Sequence, residues 1–191
     1  VFVPDGEATE VHGVGYAGVK GFCGGFGRGA LGPWGERAIK NFVQEAIDEA
    51  LKLEAALARL RTTRRVAVLH YSPVRATVEG EPPEIFPYLG SGRLEEPINR
   101  YRVSAVFHGH AHRGSAEGRT TAGVPVYNVA MPLLARLNPD RPPYLIVELP
   151  LEDEASPSLG WLDFQPNVAV HAVAAGLLDV LALGLDLLVD G

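Results

Sequence analysis

The stretch that decides the fold is A-V-F-H-G-H-A-H-R-G, at residues 105–114. The mainly apolar run over residues 103–107 predicts a buried strand, and three of the six histidines follow within five residues. Such strands deliver polar side chains to the carboxyl edge of a sheet, where α/β proteins place their sites. On an extended backbone His110 and His112 would face the same way, being two residues apart. Because neutral imidazole is the commonest metal ligand, the stretch predicts an α/β fold with a metal site at the edge of its sheet.

A second histidine follows a second buried strand. The continuous apolar run V-A-V-L at residues 66–69 is typical of a strand covered on both faces, as in parallel sheets. His70 comes directly after it, and Pro73 then directs the chain out of the strand. Taken by itself, the position of His70 fits a capping residue and a metal ligand equally well. The repeat of the same strand-to-histidine arrangement at residues 103–112 favours the ligand.

The rest of the chain predicts a layered α/β body. Residues 36–61 carry apolar side chains at helical spacing and predict one long amphipathic helix. Further strands are predicted at residues 11–19, 124–129 and 144–149. A helix between strands, followed by more strands, indicates helices packed on a sheet.

Residues 21–35 are rich in glycine. They do not form a phosphate-binding loop of the G-x-x-x-x-G-K-[ST] type, because no Lys-Ser or Lys-Thr pair follows. We interpret the segment as a surface loop that Phe22, Phe26 and Trp34 fasten to the body. The alternative is a flexible lid over the site, in which Arg28 meets an anion.

Composition narrows the classes of partner. The 191-residue chain has a net charge of −6 and no basic stripe, so no nucleic-acid groove is expected. Its one cysteine excludes an internal disulfide and suits a reducing compartment, and no signal peptide is recognisable. We therefore expect a cytoplasmic protein. The sequence does not indicate an oligomeric state.

The chain divides into three parts by composition. Residues 1–150 form the domain, 151–167 an acidic, proline-containing linker, and 168–191 an apolar tail predicted to be helical. The tail is long enough to span a membrane. However, Asp179 and Asp186 would each cost about 2.5–3.5 kcal/mol at mid-bilayer, so membrane insertion is not expected. A helix docked on the body or at an interface is the preferred interpretation.

The motifs V-L-H-Y-S-P at residues 68–73 and F-H-G-H-A-H at 107–112 resemble the C-terminal half of a calcineurin-like metallophosphoesterase. The resemblance covers roughly residues 11–149. It implies a four-layer α/β/β/α sandwich and a metal-dependent hydrolase of phosphoric esters, either a phosphomonoesterase or a phosphodiesterase. It also implies two divalent metal ions (Mn, Fe or Zn) and a small-molecule phosphate ester as substrate.

Carried over by motif, His70 and His110 would hold one metal, and His112 would hold the other. His108 matches no ligand of the family, and we treat it as a strand residue or a support for a ligand. The family's N-terminal motifs D-x-H, G-D-x-x-D and G-N-H-[DE] are absent. Those motifs would supply the remaining ligands, so we expect an N-terminally incomplete domain that binds metal weakly and is inactive alone.

Two other functions stay open. His108, His110 and His112 occupy alternate positions, so they could form a mononuclear zinc hydrolase with three protein ligands. Alternatively, the chain is a non-catalytic partial domain used for binding, with the apolar tail as its interface.

Overall fold

The computed structural model describes residues 5–149, 169–174 and 183–184. Its strands are β1 (Glu7–Val11), β2 (Val14–Val19), β3 (Arg64–Leu69), β4 (Ala105–His108), β5 (Glu117–Arg119), β6 (Pro125–Asn128), β7 (Leu145–Glu148), β8 (Ala169–Ala174) and β9 (Leu183–Gly184). Its α-helices are α1 (Arg37–Ala58), α2 (Phe86–Leu89), α3 (Glu95–Arg100) and α4 (Met131–Leu137).

Six strands form the central sheet, in the order β1-β2-β3-β4-β6-β5. Strands β2, β3, β4 and β6 run parallel, while β1 and β5 pair antiparallel at the two edges. The predicted α/β class is therefore confirmed. In particular, the apolar runs that precede His70 and His108 are neighbouring parallel strands, with Val68 opposite Phe107.

Both faces of this sheet are covered, which is why β3 is apolar at consecutive positions. Ala67 and Leu69 face a core that α1 completes with Leu53 and Leu57. The side chains between them face the other way, where Val66 and Val68 share a core with residues at and after β7. In the described part of the chain, helix α1 therefore packs on one face of the six-stranded sheet, and residues 147 and 149 pack on the other.

The tail differs from the prediction. Residues 169–174 form a strand rather than a helix, and they pair antiparallel with β7. Leu183 and Gly184 in turn pair with the end of β8. The two valines of β8 suit a strand, and the edge of β7 presents backbone groups that β8 can bind. The predicted linker at 151–167 and the other tail residues lie outside the described residues.

Helix α1 occupies most of the predicted span, and its apolar stripe is buried or partly buried apart from Ile39, which is 45% exposed. Asp48 and Lys52 lie four residues apart in α1 but do not form an ion pair. Lys52 instead contacts Asp5 at 2.9 Å and Glu49 at 2.5 Å. Among the described helices, none is long and apolar enough to cross a membrane.

Candidate metal centre

The parallel pairing of β3 and β4 brings His70 and His110 together at the carboxyl edge of the sheet. The amide of Gly109 donates to the carbonyl oxygen of His70 at 3.2 Å, so the two loops are joined directly. The imidazole rings of His70 and His110 lie 4.7 Å apart between centroids, and the ring of Tyr71 packs against both. Two imidazoles from separate strands thus form one half-buried cluster.

A strained turn carries His110. Its backbone is left-handed, with φ of 67°. The amide of Ala111 donates to the carbonyl of Gly109 at 2.8 Å, which closes a three-residue γ-turn around His110. A γ-turn with a left-handed central residue is rare and strained. Such a conformation persists only where the surroundings hold it, and strained residues of this kind cluster at functional sites.

The contact of His110 with Tyr88 determines its tautomer. Its Nε2 lies 3.2 Å from the carbonyl oxygen of Tyr88, which can only accept a hydrogen bond. We therefore assign the proton of neutral His110 to Nε2, which leaves the lone pair on Nδ1. Imidazoles that bind metals usually donate their other N–H to a carbonyl or carboxylate, and His110 has this arrangement.

Electrostatics favour the neutral, metal-binding form of His110. Burial lowers the pKa of its imidazole, the Tyr88 carbonyl raises it, and positive charge on His112 lowers it further. The carboxylate of Glu81 has a smaller, opposing effect. Since metals bind the deprotonated ring nitrogen, the overall lowering keeps His110 competent as a ligand at neutral pH.

The predicted arrangement of His112 is wrong in one respect. The left-handed turn at His110 interrupts the extended backbone on which the two rings would have faced the same way. His112 is exposed, and its carbonyl oxygen accepts a hydrogen bond from Arg136 at 2.9 Å. Within residues 5–149, no three His, Cys, Asp or Glu side chains converge as a metal-binding group.

The three-histidine zinc site does not form, because His108 points into the protein interior. Only 1% of His108 is exposed, and both its ring nitrogens have partners. Nδ1 lies 2.8 Å from the carbonyl oxygen of Gly109, and Nε2 lies 2.8 Å from the hydroxyl of Thr77. Burial lowers the pKa of His108 to about 4, so the ring is neutral. His108 therefore lies in the protein interior and is held there by these two contacts.

Asn128 also holds the histidine loop, from the end of β6. Its side chain is fully buried, and its amide group donates to the carbonyl of Ala111 at 2.7 Å and to that of Thr77 at 3.3 Å. Its side-chain oxygen accepts from the amide of Ala130 at 3.2 Å. Asn128 therefore fixes the backbone between His110 and His112. Its place near the end of the strand predicted at residues 124–129 was the available sequence signal, whereas nothing local indicated Thr77.

The glycine-rich loop reaches the cluster through Cys23. The Cys23 thiol donates to the Tyr88 carbonyl at 3.3 Å, so it shares an acceptor with His110. Phe22 packs on Phe42 and Tyr71, as expected for a fastened loop, but Trp34 is 75% exposed and fastens nothing.

A buried carboxylate anchors the start of this loop. Glu49 accepts a hydrogen bond from the amide of Gly21 at 2.7 Å. Sequence reasoning missed this role, although Glu49 lies within the apolar stripe of the predicted helix and so was detectable there. Arg28 is an exposed residue of the short 3₁₀ helix Gly27–Gly29. The alternative interpretation of this loop as a lid, with Arg28 meeting an anion, stays a prediction.

No protein-family model matches this chain, and no curated protein matches it either.

Proposed function

We propose that the chain supplies the histidine side of a metal centre that hydrolyses phosphoric esters. The observation that supports this most directly is the pair His70 and His110, with rings 4.7 Å apart at the carboxyl edge of a parallel sheet. The Nε2–H of His110 is directed at a backbone carbonyl, so Nδ1 carries the lone pair that would bind a metal.

In this proposal His70 and His110 bind one divalent ion, Mn, Fe or Zn. His112, which is exposed and near enough to lower the pKa of His110, holds a second ion. When bound, the metals would lower the pKa of coordinated water and neutralise the phosphate. The chain's own residues orient the ligands: Tyr88 through its carbonyl and Asn128 through the backbone of Ala111.

The proposal requires ligands beyond these imidazoles. No third carboxylate, thiol or imidazole joins the pair within residues 5–149, and a dinuclear site needs a bridging oxygen ligand. In the proposal, that ligand comes from outside the described residues. The substrate is a small phosphate ester, and its negative charge requires the metals because the chain has a net charge of −6.

A second candidate function is a non-catalytic binding domain. The absence of a complete ligand set within residues 5–149 favours it. This candidate shares the fold with the first but predicts no hydrolysis under any condition.

The first experiment measures Mn²⁺ binding to the full chain by isothermal titration calorimetry. We expect His70→Ala and His110→Ala each to weaken binding by about tenfold or more, since ligands contribute at least as much as the residues that support them. His12→Ala is the matched control, because His12 is exposed in the β1–β2 turn. Circular dichroism confirms that each variant is folded. Unchanged affinity in His70→Ala would contradict the proposed metal site.

The second experiment distinguishes the two functions. Hydrolysis of bis-p-nitrophenyl phosphate with added Mn²⁺ is measured on this chain and on the product of its complete reading frame. We expect hydrolysis only by the complete product, lost in its His70→Ala variant. Complete inactivity of a product that binds Mn²⁺ would favour the binding domain.

A further inference from the structure

Four groups form a continuous hydrogen-bonded chain beneath the histidine pair, which we call the His108 chain. It runs from the carbonyl of Gly109 to the ring of His108, then to the hydroxyls of Thr77 and Ser72. The three contacts measure 2.8, 2.8 and 2.7 Å. The side chains of Ser72, Thr77 and His108 are almost completely buried, so water does not compete for these bonds.

The partners of His108 determine its tautomer and the direction of the bond from Thr77. The carbonyl of Gly109 can only accept, so the proton of the neutral ring is on Nδ1, and Nε2 accepts. Thr77 then donates its one hydroxyl proton to Nε2 at 2.8 Å, which is closer than its other acceptor, the carbonyl of Val74 at 3.3 Å. The Ser72 hydroxyl has two acceptors for its proton, Thr77 at 2.7 Å and the carbonyl of Val74 at 2.8 Å, and it accepts from the amide of Val74 at 3.2 Å. If Thr77 donated its proton elsewhere, Nε2 of His108 would face the hydroxyl oxygen of Thr77 without a proton between them.

The two ends of the His108 chain reach the two loops that carry the proposed ligands. Ser72 lies two residues after His70. At the other end, the carbonyl of Gly109 accepts from both His108 and Ala111, and the Ala111 bond closes the strained turn around His110. One buried ring thus connects the His70 loop with the turn that presents His110.

We propose that His108 is a positioning residue, which in its Nδ1–H tautomer holds His110 beside His70. Its role toward a metal rests on the proposed function, whereas its effect on the two rings does not. A buried hydrogen-bonded network of this kind specifies one arrangement when every member is satisfied. Loss of the Thr77 hydroxyl therefore releases the turn at His110 without touching either proposed ligand.

The test compares Thr77→Val, which has the shape of threonine but no hydroxyl, with Thr77→Ser, which restores the hydroxyl. Thr120→Val is the matched control, because Thr120 is a buried threonine whose hydroxyl oxygen binds the amide of Val124. The full chain is labelled with ¹⁵N-histidine and studied by NMR without metal. We expect the Nδ1–H signature of His108 and a nuclear Overhauser contact between His70 and His110 in the wild type, Thr77→Ser and Thr120→Val.

In Thr77→Val we expect the His70–His110 contact to be lost and Mn²⁺ affinity to fall by about tenfold, as for other residues that orient metal ligands. An Nε2–H tautomer in the wild type, or an unchanged ring contact in Thr77→Val, would overturn the inference. If the wild type binds no Mn²⁺ but Thr77→Val still loses the ring contact, the positioning role stands and the proposed function fails.

Discussion

The backbone carbonyl of Tyr88 lies 3.2 Å from Nε2 of His110, and this contact decides which nitrogen of the neutral ring carries the proton. The same oxygen accepts the thiol proton of Cys23 at 3.3 Å. The orientation of His110 therefore depends on main-chain conformation in the proline- and glycine-containing loop at 79–92. The Tyr88 side chain itself is exposed.

The left-handed backbone of His110 predicts an unusual order of stability. His110→Gly should be more stable than His110→Ala by about 1 kcal/mol, because glycine adopts positive φ without the steric cost that alanine meets. His112 provides the control, since its φ is not positive and glycine should be the less stable replacement there. Urea unfolding of the four variants measures both differences. The same order at both positions would mean that the turn at His110 is not strained.

The buried ring of His108 predicts a loss of stability in mild acid. The pKa of His108 is about 4 in the folded protein against 6.5 for an unperturbed imidazole, so between these values the unfolded chain binds more protons. The free energy of unfolding is therefore unaffected by protonation of His108 above pH 6.5 and falls as the pH is lowered toward 4. The shift in the pKa of His108 corresponds to a loss of about 3 kcal/mol.

Urea unfolding at pH 7 and pH 4.5 tests this dependence on the wild type and on His108→Asn, whose amide can still donate to Gly109. The drop in unfolding free energy should be smaller in His108→Asn by about 2–3 kcal/mol. His12→Asn, at an exposed turn position, should behave like the wild type. Equal drops in all three proteins would show that His108 does not resist protonation.

Glu49 is expected to stabilise the start of the glycine-rich loop. Glu49→Ala leaves the buried amide of Gly21 without an acceptor and should lower the unfolding free energy by about 1–3 kcal/mol. Glu45→Ala on the same helix removes only an exposed pair with Lys20 and should cost less than about 1 kcal/mol. Equal effects of the two substitutions in chemical denaturation would argue against the anchoring role.

The thiol of Cys23 should react slowly in the folded protein. Cys23 is buried, and burial raises its pKa, so little reactive thiolate is present at neutral pH. Labelling with 5,5′-dithiobis(2-nitrobenzoic acid) should be at least about tenfold slower in the native chain than in urea. Labelling at the same rate in both would place Cys23 at the surface.

The parts of the molecule that were predictable from sequence are those with regular spacing. Strand β3 is a continuous apolar run and α1 a helical stripe, and both formed close to their predicted bounds. The proximity of His70 and His110 followed from two parallel strands that end at the same sheet edge. Local patterns determine these features, so a single sequence contains enough information for them.

The remaining features depend on contacts between distant residues. His108 finds its partner Thr77 31 positions earlier, in a loop without a recognisable pattern. The positive φ of His110 has no local signature beyond the preceding glycine, so an extended backbone was assumed. The tail was predicted to be helical because its apolar run is long, whereas pairing with β7 made residues 169–174 a strand.

The antiparallel pairing of Leu145–Glu148 with Ala169–Ala174 has a practical consequence for shortened versions of this protein. Strand β7 covers one face of the main sheet, yet its own outer edge is sheltered by a segment more than twenty residues further along. Removal of the chain after β7 would leave this edge strand unpaired, so that its backbone groups could pair with other copies of the chain. A protein truncated near residue 150 should therefore aggregate when it is expressed, whereas the full chain should not.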